Sequence, residues 1–226
     1  MFPVKKIKTS LHVGTFDINN IRKESQEGRG ISISPCPLSW RSIAQLSGPC
    51  YQVSFEKPVE FLDVNKTLKN KALMQKVLEW GIENDFCEQK LLLKVITHDE
   101  YGDELFELYS SEDELVNSYG EEYETDECIS RIEKEDGFIQ TEKMQKRMSS
   151  SYVISPLHIK EFVALIYAED ILGMAGGWWN DRHDVHAYSA PRGVIFESHL
   201  TEITKKIITP EQERRLFVSS EEDYSF

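Results

Sequence analysis

Ile31 and Ile33 alternate with Ser32 and Ser34 directly behind the corner Gly28-Arg29-Gly30. No other stretch constrains the fold as tightly. Alternation with period two places one face of a strand on a core and the other toward polar surroundings. The glycines allow the sharp turn that feeds it. A second strand is expected over residues 5–15, with Ile7, Leu11 and Val13 as its apolar positions and His12 on the opposite face. It ends in Gly14-Thr15, and Asp17 caps a short helical turn to Ile21.

Further along, Ser39 caps a helix through Trp40, Ile43, Ala44 and Leu46, which Gly48-Pro49 ends. Tyr51–Phe55 and Val59–Leu62 read as two strands broken at Pro58. From Asn65 one helix carries Leu68, Leu73, Val77, Leu78 and Ile82. Leu91–Ile96 is a strand or the end of that helix. Ser149-Ser150-Ser151 marks a junction, after which Val153-Ile154 begins a strand and Pro156 opens a helix through Phe162, Ala164, Leu165 and Tyr167. Gly193–Phe196 reads as a closing strand, and about 209–226 as a short helix and tail.

The net charge of −13 is unevenly spread. Residues 99–136 hold 16 acids against Arg131 and Lys134, which leaves the remainder near neutral. Leu105, Phe106, Leu108 and Tyr109 make this segment too apolar for a disordered tail. It is therefore expected to fold as an acidic helical insertion at about 97–148, with amphipathic helices near 103–118 and 121–134. A bulk basic surface for nucleic acid is missing. No apolar run approaches the ~20 residues of a membrane span, so no membrane partner is expected. The basic N-terminus lacks the apolar region of a signal peptide. The four cysteines, at 36, 50, 87 and 128, show no paired spacing and read as reduced thiols, which points to a cytoplasmic setting.

The chemistry-bearing residues fall into three groups. His12 precedes Gly14-Thr15; Ser32 lies in the alternating strand; and Gly176-Gly-Trp-Trp-Asn-Asp181 is followed by Ser189-Ala-Pro-Arg-Gly-Val-Ile-Phe196. His183, His186 and His199 offer imidazoles, but no metal motif accompanies them, and no metal site is expected. Phosphate-loop, dinucleotide-fold and nucleophile-elbow motifs are lacking.

In order, these groups resemble mono-ADP-ribosyltransferases of the His-Tyr-Glu type, as found among bacterial and phage toxins and effectors. The resemblance covers roughly 11–65 and 160–197. It implies an α+β fold: a split mixed β core with flanking helices, here one domain over 1–226 bearing the acidic insertion. It also implies NAD as co-substrate and a macromolecular acceptor, protein or nucleic acid. The implied cofactor-binding residues are His12, Val13, Gly14, Thr15, Gly30, Ile31, Ser32, Trp40 and Arg192. His12 would hold a ribose and Arg192 would face the pyrophosphate. Asp181, together with His12 and Ser32, would be catalytic, with Asp184 and then Glu169 as reserve acids. Ser32 stands where the family carries a nicotinamide-stacking Tyr, so Trp40 or Tyr51 would have to supply the ring. The alternative is a non-catalytic inhibitor, immunity protein or adaptor whose acidic insertion meets a basic cognate protein.

Overall fold

A computed structural model describes residues 1–17, 30–43, 45–99, 101–120, 129–148, 154–181 and 190–215, with Ser39, Trp40 and Ile43 described by backbone alone. The elements in chain order begin with β1 (Val4–Val13), β2 (Gly30–Ile33), α1 (Pro37–Ile43), β3 (Cys50–Asp63), α2 (Val64–Lys69) and α3 (Lys71–Glu83). Next come β4 (Cys87–His98), β5 (Glu104–Tyr109), α4 (Glu112–Tyr119), β6 (Ile129–Gln140) and α5 (Glu142–Met148). A 3-10 turn over Pro156–His158 leads into α6 (Ile159–Asp170), β7 (Gly176–Trp179) and β8 (Arg192–Phe196). A second 3-10 stretch, Glu197–Glu202, then precedes β9 (Ile203–Ile208). The fold is mixed α+β, in two compact units: Met1–Gln75 with Ala164–Phe226, and Lys76–Val163.

The first unit is a curled sheet of order β1-β3-β7-β8-β2, with β9 added to β3. β3 and β7 run parallel, while β1–β3, β7–β8, β2–β8 and β3–β9 are antiparallel. The curl brings β2 back to β1, where the Ser34 N–H donates to the Leu11 carbonyl at 2.8 Å. Inside lie Ile7, Ile31, Ile33, Phe61, Trp178 and Ile195, the inward positions of alternating strands. Burying such side chains contributes roughly 1.5–3 kcal/mol each.

Two local expectations are corrected. Pro58 does not break a strand: β3 runs unbroken through it, with a register shift against β1 between Ile7 and Thr9. Pro58 falls within that irregularity, where its missing N–H costs no ladder bond. The helix expected from Asn65 is two. The Asn70 N–H donates to the Thr67 carbonyl at 3.1 Å, and the Asn70 side chain accepts from the Leu73 N–H at 3.2 Å. One residue thus ends α2 and caps α3.

In the second unit, β4 lies between β5 and β6. The acidic segment is therefore not a helical insertion. Residues 104–109 form β5 rather than the start of a helix, and only Glu112–Tyr119 within 103–118 is helical. The helix expected at 121–134 is replaced from Ile129 onward by β6, while residues 121–128 lie outside the described ones. The scarce bases tie this strand into its sheet. Arg131 on β6 binds Glu104 of β5 at 2.7 Å and Glu133 at 2.8 Å, and Lys94 on β4 reaches Glu135 at 3.4 Å. On the opposite face Leu115 of α4 packs on Val95, with Tyr109, Tyr119 and Ile129 around them. Ser111 caps α4 by accepting from the Glu114 N–H at 3.2 Å, and Glu112, Asp113 and Glu114 suit the positive end of that helix. Of the other sequence assignments, the turn at Asp17–Ile21 and the strand start at Val153 lie largely outside the described residues.

Gly176 is where β7 approaches its neighbours most closely. A Cβ there would stand 2.0 Å from the Val194 carbonyl oxygen and 2.3 Å from the Phe61 ring. Gly176→Ala is expected to cost about 3 kcal/mol or more. Gly173→Ala, at φ +61 in open space, should cost about 1 kcal/mol. Urea midpoints of the two variants check this, and equal losses would refute the close-approach argument.

Candidate functional site

The residues singled out in the sequence gather into two clusters. The first is the joint between β1 and β2. The alternation that buries Ile31 and Ile33 leaves Ser32 half-buried, and His12 points inward from β1 at 8% exposure. His12 Nδ1 lies 2.7 Å from the Ser32 carbonyl oxygen, and Nε2 lies 3.2 Å from that of Thr15. A neutral imidazole has one N–H. The shorter contact assigns it to Nδ1, donating to Ser32, which turns the Nε2 lone pair toward Thr15. Only the imidazolium could donate to both.

Burial is the largest influence on this ring and lowers its pKa below the ordinary 6.5; the Ser32 and Thr15 carbonyls pull it upward, and the Lys205 charge adds to the lowering. His12 is therefore neutral at pH 7.

The other residues of the first motif surround this joint. Val13 is buried with Leu11, Cys50 and Ile208, while Thr15 is exposed. Gly14, at φ +115, takes a conformation that favours glycine and donates its N–H to Pro49 at 3.0 Å. Gly30 faces Ile195, whose carbonyl oxygen would be 2.0 Å from an added Cβ. Gly28 and Arg29 lie outside the described residues, as does the side chain of Trp40.

Phe16, directly after Thr15, meets His12 edge-on with ring centres 5.5 Å apart, and Tyr51 on β3 lies 5.5 Å from Phe16 and 6.3 Å from His12. Lys205 on β9 places Nζ 4.3 Å from the Phe16 ring centre and donates to the Phe16 carbonyl at 3.2 Å. Tyr51 was considered from sequence as an aromatic platform. Phe16 and Lys205 were not, and Lys205, 189 residues beyond Phe16, carries no local signal of its role.

The second cluster is at the end of β7. Asp181 accepts from the Asn65 side-chain amide at 3.0 Å and pairs with Arg192. Arg192, opposite Trp179 in the β7–β8 ladder, holds its guanidinium 5.2 Å from the Trp179 ring centre. The Asn65 side-chain oxygen Oδ1 accepts from the Asn180 N–H at 2.7 Å, so one side-chain amide orients two successive residues. Sequence reading missed Asn65; its position just after the helix cap Asp63 was the available clue. Asp181 is 23% exposed and thus reachable from solvent.

Asp184, His183 and His186 lie outside the described residues. Glu169 accepts from the Ser198 hydroxyl at 2.6 Å, and His199 pairs with Glu202 at 3.0 Å. Cys36, Cys50 and Cys87 are buried. Burial pushes the Cys50 thiol up to about 12 and that of Cys87 to about 11, so neither supplies a thiolate nucleophile at neutral pH.

Because the folded pKa of His12 lies below 6.5, the unfolded chain binds a proton that the folded chain refuses. Stability therefore falls as pH drops through the window just below 6.5. Urea midpoints measured from about pH 7 to pH 5 should show this slope, and His12→Gln should reduce it. Compared with protein-family models, curated proteins and solved structures, the chain matches none.

Proposed function

We propose that the chain is an NAD-dependent mono-ADP-ribosyltransferase, an enzyme that cleaves the nicotinamide–ribose bond and passes ADP-ribose to a macromolecular acceptor. The observation that supports it is the joint of the two front motifs: His12 and Ser32, on separate strands, meet through a 2.7 Å hydrogen bond. The residues suit NAD in their chemistry. Tyr51 and Phe16 put aromatic rings beside His12, as a flat nicotinamide ring requires, and Arg192 carries the forked donor that binds phosphate oxygens.

The chemistry asks little of the protein. Nicotinamide leaves from a pyridinium with the bonding electron pair, so no acid need protonate it. The ribose carbon becomes oxocarbenium-like, and a nucleophile of the acceptor attacks it and loses a proton. Asp181 is the carboxylate for that developing charge, oriented by Asn65 and counterbalanced by Arg192. A fixed carboxylate at a growing cation stabilises the transition state more than the ground state. NAD hydrolysis differs only in having water as the acceptor.

A second reading, a non-catalytic partner of a basic protein, is favoured by β5. This edge strand carries half-exposed Leu105 and Phe106 on opposite faces, among Glu104 and Glu107. Apolar contact area bordered by carboxylates suits a basic surface.

The deciding experiment incubates the full chain with NAD and measures released nicotinamide. Cleavage is expected in the wild type, with Asp181→Asn lowering it about 100-fold or more and His12→Ala weakening it in a chain verified as folded. Undiminished cleavage in folded Asp181→Asn would remove the assigned role of that residue. No cleavage together with no calorimetric NAD binding would overturn the reading and leave the second.

A further inference from the structure

We propose that the aromatic box of His12, Phe16 and Tyr51 is a recognition site for a planar organic cation, and that Lys205 is its built-in occupant, displaced when such a ligand binds. The inference rests on the transferase reading for one point, the identity of that cation as a pyridinium. The box itself stands on geometry.

Three rings from two strands and one turn converge within 5.5–6.3 Å of one another. Aromatic faces are electron-rich and attract cations, most strongly where water is kept away. His12 and Phe16 are both 8% exposed, so the box is largely dry. A cation already uses it: Lys205 Nζ stands 4.3 Å from the Phe16 ring centre and 5.7 Å from that of Tyr51.

The way Lys205 is held makes it exchangeable. Among the described residues no carboxylate pairs with it. Its partners are the two ring faces and the Phe16 carbonyl at 3.2 Å. It reaches them from β9, where Thr204, Lys205, Lys206 and Ile207 are exposed in succession. A four-carbon stem on an exposed strand position can swing into water without unpairing the backbone. Lys205 lies opposite Val53 in the β3–β9 ladder, and that ladder continues on both sides of it. An ammonium needs hydrogen bonds and is strongly hydrated, whereas a pyridinium spreads its charge over a flat ring. The ring therefore gains more from aromatic faces and needs no carbonyl acceptor. Lys205 thus acts as a competitor that keeps the box filled and limits affinity for cations that offer no stacking surface.

The test titrates the full chain with 1-methylnicotinamide, a pyridinium cation, and with neutral nicotinamide, following affinity by calorimetry. Lys205→Met keeps the stem and removes the charge. It should bind 1-methylnicotinamide about tenfold tighter than the wild type, equivalent to about 1.4 kcal/mol. Lys205→Arg, which retains a cation, should show no gain, and nicotinamide should bind all three forms alike. Adding Phe16→Leu to Lys205→Met should abolish the gain.

In the wild type, saturating 1-methylnicotinamide should speed reductive methylation of the Lys205 amine as it leaves the box; this readout holds even if a variant fails to fold. Equal affinity of wild type and Lys205→Met for the cation, the same gain for nicotinamide, or unchanged Lys205 labelling at saturation would each overturn the inference. NAD reports separately: a charge-selective gain with neither NAD cleavage nor NAD binding sinks the transferase reading and leaves the box, and NAD cleavage without that gain does the reverse.

Discussion

Two backbone segments cannot pass within van der Waals distance if a side chain stands between them, and the first unit depends on that constraint being met at Gly176 and Gly30. A Cβ at either would lie 2.0 Å from a β8 carbonyl oxygen, that of Val194 or Ile195. With hydrogen alone at both places, β7 and β2 flank β8 closely enough for the sheet to curl. The curl returns β2 to β1, and that return sets His12 against Ser32. It also turns Ile31, Ile33, Trp178 and Ile195 toward one interior. Adding side-chain bulk at either glycine would therefore act on the candidate site through the sheet.

The second unit meets a different constraint, excess negative charge on a small sheet. Like charges on adjacent strands repel, and residues 99–136 offer only Arg131 and Lys134 in compensation. Arg131 answers by binding two carboxylates at once, and β4 lends Lys94, whose Nζ also lies 4.7 Å from the Phe106 ring centre. Such exposed pairs contribute little individually. Their role is in register: the bond from Arg131 to Glu104 of β5 and that from Lys94 of β4 to Glu135 each match one alignment of β6.

Elements that follow a single apolar period were legible in the sequence. β2 could be read because Ile31 and Ile33 stand at the buried positions that alternation predicts. β8, buried from Gly193 to Phe196, was legible only as a short apolar run. β1 was legible only in part, because a register shift after Ile7 places that residue in a different cluster from Leu11 and Val13. β6 could not be read. In Ile-Ser-Arg-Ile-Glu-Lys-Glu-Asp its charges pair across strands, and an apolar periodicity does not register charge pairing. Pro58 misled for a related reason, since a proline reads as a break when only its own strand is considered, and its tolerance depends on the shifted register opposite. Within the candidate site, His12, Ser32, Asp181 and Arg192 stood out by type and order. Asn65 and Lys205 act through contacts made 116 and 189 residues along the chain, a separation at which local pattern carries no information.

The clamp formed by Arg41 and Glu213 has a temporal consequence. Arg41 donates to both oxygens of Glu213, at 2.6 and 3.2 Å, and Glu213 is 5% exposed. β9 likewise closes on β3 across about 150 residues. On a ribosome, β1 and β3 emerge early, while β7, β8, β9 and Glu213 follow only after residues 76–163 have been made. Those intervening residues form a contiguous unit whose strand pairs are near in sequence, and they can fold first. The first unit must wait with β3 unpaired along one edge. Its completion is a late, single closure rather than a gradual accretion, and the rate of synthesis between β3 and β9 becomes a determinant of how much chain reaches the native state.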